Sequence, residues 1–199
     1  MILDLHIHSK HSFDSILKPE KIINVAKSRG LNGVAITDHD TIKGGLDVKK
    51  INNDPDFFVI VGSEINTEIG DIIGLFLNEE IKSRDSALVI DEIKGQGGVV
   101  VLPHPYRGHT LNDRIIKKVD AIEVFNARSN QEQNEKSMKL AEKYDKPMVA
   151  GSDAHFASEI GLGKTITSYK DRSKMVLLDG ITKLDTSQSP AYLQSFSQI

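Results

Sequence analysis

Two imidazoles two residues apart, His6 and His8 in Asp4-Leu5-His6-Ile7-His8-Ser9, open the set of residues best equipped for chemistry. Such a pair on one face of an extended segment can hold a single divalent ion. An acid two residues earlier, here Asp4, can orient the first ring through its second nitrogen. Further donors follow at Asp14, Asp38-His39, Glu64, His104 and Asp153-Ala154-His155. Taken singly, Asp14 and Asp153 read as helix caps and His104 as a turn residue. Taken together they exceed what one ion needs, and they would supply two or three ions with at least one carboxylate bridging. Imidazole mixed with carboxylate suits Zn, Mn or Fe and is a poor match for calcium. Metals roughly 3.5–4 Å apart activate a water and clamp an oxyanion in displacement chemistry.

Those donors need strands to position them. Residues 2–7 are apolar apart from Asp4 and His6 and read as a buried strand. Simple alternation places Asp4, His6 and His8 on one face and Leu3, Leu5 and Ile7 on the other. Strands are expected at 33–37, 57–61, 98–102, 121–125, 148–150 and 163–168, with a hairpin over 66–77 turning at Gly70-Asp71. Helices are expected from Pro19 to a stop at Gly30, then at 42–51, 86–94, after Asn112-Asp113, at 131–144 and at 172–183. Alternating strands and helices imply parallel pairing. Six strands end in a polar, ligand-capable residue: His6 and His8, Asp38 and His39, Glu64, His104, Asn126, and Asp153 with His155. A closed or nearly closed α/β barrel, with its site at the carboxyl ends of the strands, would bring all six endings together.

The composition sets limits. A chain of 199 residues suits one sizeable core, and we assign 1–185 to a single barrel domain and 186–199 to a tail. With 39% apolar and 27% charged residues, a net charge of −3 and no basic run, binding of long nucleic acid by charge is not expected. No cysteine is present, which excludes disulfides and thiolate ligands. Neither a signal peptide nor a membrane span is expected, so a cytoplasmic location is the default. Gly161-Leu162-Gly163-Lys164-Thr165 lacks the first glycine of a phosphate-cradling loop and precedes a strand-like run, so that reading is rejected.

Asp4-Leu5-His6-Ile7-His8-Ser9, Thr37-Asp38-His39, Gly62-Ser63-Glu64, His104-Pro105 and Ser152-Asp153-Ala154-His155 resemble, in order, the motifs of the PHP (polymerase and histidinol phosphatase) family. The resemblance runs from Ile2 to about Tyr169. It implies a distorted (β/α)7 barrel, two or three divalent metals (Mn, Zn or Fe) and phosphoester hydrolysis. By motif it assigns His6, His8, Glu64 and Asp153 to a first ion with Glu64 bridging, His104 to a second, and Asp14, His39 and His155 to a third. His6, His8, Glu64, His104 and Asp153 would then carry catalysis, with Asp4 and Asp38 supporting the ligands. One departure stands out: Asp71 occupies the hairpin position where many relatives place a His ligand. Arg107 and Arg128 follow strand endings and are candidates to grip phosphate, with Asn126 and His109 as further substrate contacts.

The expected function is hydrolysis of a small phosphomonoester (a nucleotide, a sugar phosphate or histidinol phosphate) by attack of a metal-held hydroxide. An exonuclease or oligonucleotide phosphodiesterase is the alternative, with a short oligonucleotide as partner. A catalytically silent module that keeps the barrel without its metals is a third reading.

Overall fold

The computed structural model of the protein describes residues 1–168 and 181–185. Its strands are β1 (Ile2–Ile7), β2 (Gly33–Ile36), β3 (Phe58–Thr67), β4 (Gly70–Leu75), β5 (Val99–Leu102), β6 (Ala121–Asn126), β7 (Met148–Gly151), β8 (Lys164–Thr167) and β9 (Ile181–Asp185). They form one sheet in the order β7-β6-β5-β4-β3-β2-β1-β8-β9. Five helices are interspersed: α1 (Pro19–Ser28), α2 (Lys43–Ile51), α3 (Ser86–Gly95), α4 (Asp113–Lys118) and α5 (Gln131–Tyr144). Several of their limits follow from capping chemistry. The Asp85 carboxylate accepts from the Ala87 and Leu88 amides, Asn112 accepts from Ile115, and Asn130 and Gln133 form a reciprocal capping box.

The sheet curls until β7 lies against β1 and β8. At that seam a side chain replaces the missing ladder: Thr165 Oγ1 lies 2.9 Å from the Ala150 amide and 3.0 Å from its carbonyl. The result is a mixed α/β, nearly closed eight-strand barrel, with β9 added outside β8. One small apolar cluster takes residues from every strand β1 to β7, among them Leu3, Leu5, Ala35, Ile60, Ile73, Val101, Ala121 and Val149. It fills the interior. Two outer clusters pack the helices on the barrel, α1 and α2 on one side and α3 to α5 on the other.

Three local expectations are corrected. First, β3 does not stop before Glu64: it pairs with β4 from Gly62↔Leu75 to Thr67↔Gly70, so Glu64 lies inside a ten-residue strand and the turn falls at Glu68-Ile69. Second, β4 is antiparallel to both neighbours and β8 is antiparallel to β1 and β9, whereas parallel pairs are confined to β1–β2, β2–β3, β5–β6 and β6–β7. The reason is connectivity, since neither β3–β4 nor β7–β8 has a crossover helix. Third, residues 181–183 belong to β9 rather than to a last helix. The remainder of that expected helix and the tail from 186 lie outside the described residues.

The simple alternation along β1 fails too. Its register advances from Asp4↔Val34 to Ile7↔Ile36, so β1 contains one more residue than its partner there. This bulge leaves Leu3 and Leu5 in the interior cluster and Ile7 in an outer one. His6 and His8 therefore point into the barrel mouth on the same side as Leu3 and Leu5, and Asp4 is turned away from them. β6 has a second bulge, between Glu123↔Val149 and Phe125↔Ala150.

Candidate metal centre

The mouth of the barrel holds a nest of buried donors. His6 Nε2 lies 3.1 Å from His8 Nε2 and 3.3 Å from Glu64 Oε2. His8 Nε2 lies 3.2 Å from the same carboxylate oxygen and 3.3 Å from Asp153 Oδ1. His104 Nε2 contacts the other oxygen of Glu64 at 2.8 Å. A shallower nest adjoins it, with Asp14 Oδ2 at 2.8 Å from His155 Nε2 and 3.3 Å from His39 Nε2. His39 Nδ1 links the two nests, 3.5 Å from Glu64 Oε2. Four overlapping donor groups result: His8/Asp14/His39/His155, His6/His8/Glu64, His6/His104/Asp153 and Glu64/Asp71/His104.

The rings are oriented from behind. His6 Nδ1 faces Glu123 Oε1 at 3.0 Å, His8 Nδ1 faces Ser12 Oγ at 3.0 Å, and His155 Nδ1–H donates to the Asp153 carbonyl at 2.8 Å. In each case Nε2 is left facing the nest, the arrangement in which an outer partner fixes tautomer and aim for a metal. Asp153 Oδ1 is buried without a hydrogen-bond partner. His104 (φ 28°) and Asp153 (φ 54°) both sit in the left-handed region, a strain that non-glycine residues accept chiefly at functional positions. Convergent imidazole nitrogens, an orphaned carboxylate oxygen and strained backbone together suit divalent cations.

Electrostatics point the same way. Burial works against ionisation throughout, yet His6 is held well above the usual imidazole range by Asp153, Glu64 and Glu123. The close approach of the Asp153 and Glu64 carboxylates likewise outweighs burial at His8 and pushes it up to about 9. Against the same penalty, His6 and His104 hold Glu64 well below the ordinary carboxylate range, and His6, His8 and Arg107 do so for Asp153. The nest is a concentration of buried anions balanced by protons that a cation can displace. At the shallower end the balance differs, because burial and the neighbouring His8 lower His155.

Several residues do other work than the sequence suggests. Asp4 does not orient the His6 ring. Its carboxylate accepts from the backbone amides of His6 (3.3 Å), Ser152 (2.9 Å) and Gly161 (2.7 Å), and burial raises it to about 6. It ties β1 to the loop that carries Asp153 and His155. Glu123 takes the orienting place, with Oε2 also accepting from the His104 amide and the Asn126 side chain, both at 2.9 Å. The close approach needs Gly151, where a Cβ would stand 2.4 Å from His6 Cβ and 2.6 Å from Glu123 Oε1. Asp38 accepts from Ser9 N and Oγ at 2.5 and 2.7 Å, fixing the turn after His8.

Asn126 is fully buried. Its Oδ1 accepts from Arg107 (3.1 Å) and the Arg128 amide (2.9 Å), and its Nδ2 donates to Glu123 and Asp153. It is engaged in holding its neighbours and does not face the cleft. His109 is packed beside His104 and donates from Nε2 to the Asp71 carbonyl at 2.8 Å, outside the four donor groups. Asp71 does reach the group with Glu64 and His104. Arg107 bonds Asp153 and Asn126, while Arg128 has an ion pair with Glu159 at 3.7 Å. Both arginines line a cleft of about 260 Å³ with Asp14, His39, Glu64, Asp71, His104, Asp153 and His155. Glu123 and Ser12 were missed from sequence. A lone acid inside the apolar run Ala121–Phe125 is the signal that pointed to the first. Lys164 and Thr165 lie in β8, as the rejection of a nucleotide loop requires. Among the described residues no helix is long and apolar enough to cross a membrane.

Comparison with known proteins agrees with this geometry. The PHP-associated family model matches residues 131–186. An uncharacterized protein of Methanocaldococcus jannaschii, MJ1587, is 46% identical over 141 residues, which span 64% of this chain and 82% of that protein. A 5'-3' exoribonuclease of Haemophilus influenzae is 38% identical over 64 residues, 32% of this chain and 23% of the enzyme. Among solved structures, a two-domain protein from Bacteroides vulgatus containing a predicted PHP-like metal-dependent phosphoesterase superposes with a TM-score of 0.76 at 19% identity, covering 93% of this chain and 64% of that one. The shared barrel, the ordered donors at its mouth and the matching family model lead to one assignment: the chain belongs to the PHP family and has the fold of its metal-dependent phosphoesterases.

Proposed function

We propose that the chain is a metal-dependent hydrolase of a small phosphomonoester, such as a nucleotide, a sugar phosphate or histidinol phosphate. One observation carries this reading: Arg107 and Arg128 share a cleft of about 260 Å³ with the convergent donors. In this reading His6, His8, Glu64 and Asp153 hold one ion, Glu64, Asp71 and His104 a second, and Asp14, His39 and His155 a third, drawn from Mn, Zn or Fe. Bound there, such ions supply Lewis acidity to the oxygen nucleophile and to the phosphoryl oxygens.

The chain itself contributes charge and aim. Glu64 and Asp153 stay ionised across the neutral range, because the imidazoles around them outweigh burial. Glu123, Ser12 and the Asp153 carbonyl keep three rings from rotating. Arg128, loosely paired and exposed, can turn its fork onto phosphoryl oxygens, and Arg107 is fixed at the cleft wall by Asn126 and Asp153. His109 is a poor proton donor to the leaving group: burial lowers its pKa and its Nε2–H is already given to Asp71.

The test is direct. Supplied with Mn, the protein should hydrolyse p-nitrophenyl phosphate faster than bis(p-nitrophenyl) phosphate. The opposite order would favour trimming of oligonucleotide ends, a second reading supported by the similarity to the exoribonuclease. Metal content below one ion per chain, with neither ester cleaved, would sink both.

A further inference from the structure

Beside the donor cleft the surface changes character. Six large apolar side chains are markedly exposed among the described residues, and three of them, Phe13, Ile16 and Phe156, flank the Asp14–His155 contact. Phe13 precedes Asp14 and Phe156 follows His155, so both rings are carried by the backbone that delivers the shallower donors. The Phe13 ring lies on His39 with centroids 5.1 Å apart and planes inclined by 21°, and it is 89% exposed. Ile16 and Phe156 line a hollow of about 340 Å³ with Lys18 and Lys21 at its edge.

The loop that presents these groups is well tied. The Lys10 amide donates to the Leu17 carbonyl at 2.7 Å, and Ser15 Oγ lies 2.9 Å from the His8 carbonyl and 3.1 Å from that of His155. An exposed phenyl ring on a pinned loop, stacked against a residue of the metal nest, is an unsatisfied planar surface with a fixed position.

We propose that Phe13, Ile16 and Phe156 form a base-binding platform, so that the phosphoester taken by the cleft belongs to a nucleotide, free or at the end of a short strand. The inference rests on the phosphoesterase reading of the cleft. Its warrant is continuity: one molecule must offer an anion to the donors and arginines and, next to it, a flat apolar group to Phe13. Among the three candidate ester classes, a nucleotide has both, and its base is the most extended flat group. A sugar phosphate lacks the flat group. Bases stack on aromatic side chains with little regard to sequence, and the two lysines favour the anionic strand that would continue outward.

Competition by adenosine 5'-monophosphate and by ribose 5-phosphate against p-nitrophenyl phosphate hydrolysis by the Mn-loaded protein tests this, since each competition constant is readable even if the ligand is itself turned over, and the second ligand has a hydroxyl in place of the base. The nucleotide should bind at least about tenfold more tightly. In the double variant Phe13→Leu/Phe156→Leu that ratio should fall to about threefold or less. A ratio near one in the unaltered protein overturns the platform and leaves the phosphoesterase reading in place, provided ribose 5-phosphate competes. Equal weakening of both ligands by the variant, or no change in the ratio, also overturns it. If neither ligand binds, the cleft reading falls and the platform with it. A solution dimer that Phe13→Ser dissociates would show that a second copy of the chain covers these rings, and would overturn the proposal as well.

Discussion

The two donor nests lie side by side and are built differently. His6, His8, Glu64, His104 and Asp153 are all buried, and their orientation comes from strands and from partners behind them. Asp14, His39 and His155 sit on loops, with side chains 31%, 20% and 9% exposed; both imidazoles face Asp14, and His155 is also held from behind by the Asp153 carbonyl. The deep nest is preorganised by the barrel, so the cost of assembling like charges is met when the chain folds. The outer nest can adjust. An ion in the first should be tightly held and slow to exchange, and one in the second should exchange readily and sense the substrate.

Experiments can break that contrast. Removing a deep donor should have the largest effect: His8→Ala or Asp153→Ala is expected to lower turnover by on the order of 10³-fold or more with the circular dichroism spectrum unchanged. A folded variant with near-normal rates would refute the assignment of these donors. Next comes pH. His8 is pushed up to about 9, so its contribution to the stability of the metal-free protein is complete below about 6.5 and is lost as pH rises through about 9. Over the same range deep-site metal affinity should climb, by up to about tenfold per pH unit for one displaced proton. His155 is lowered, so the outer nest should show no such climb above pH 7. Metal titrations between pH 6.5 and 9 would reveal equal slopes if the nests were alike.

Glu123→Gln should weaken the deep ions by roughly 10–100-fold, through loss of the charge that aims His6, and leave the outer ion unaffected. Uniform weakening would mean that the nests are one unit. The smallest effect is expected of Asp14→Asn: loss of about one ion per chain with about a tenfold drop in rate. Elemental analysis after gel filtration reads the first, and the p-nitrophenyl phosphate assay reads the second.

Much of this was legible in the residues. The helix starts were readable because caps and Pro19 act locally. The candidate donors could be named because imidazole and carboxylate recur at the ends of apolar runs. What failed was pairing information. The length of β3 depends on its ladder with β4, and the direction of β8 depends on a connection that has no crossover helix. Asp4 was misjudged because alternation assumes that no residue is inserted, and β1 has one inserted between Asp4 and Ile7. Glu123 was overlooked because the lone acid in an apolar run marks a buried carboxylate without naming its partner, and its role depends on a Gly151 neighbour twenty-eight residues along the chain. Asn126 was placed in the right neighbourhood, but whether an amide faces ligand or framework is decided by packing.

The extra residue in β1 implies an unusual vulnerability. Side chains on a strand are read in a two-beat phase, and that single insertion sets the beat on which both imidazoles fall. If β1 kept its length but paired regularly from Leu3 onward, with no residue bulged out, His6 and His8 would swing outward among the helices while every letter of the histidine motif survived. Such a protein would still look competent on paper and would have lost its grip on cations, a failure of timing along the chain instead of chemistry.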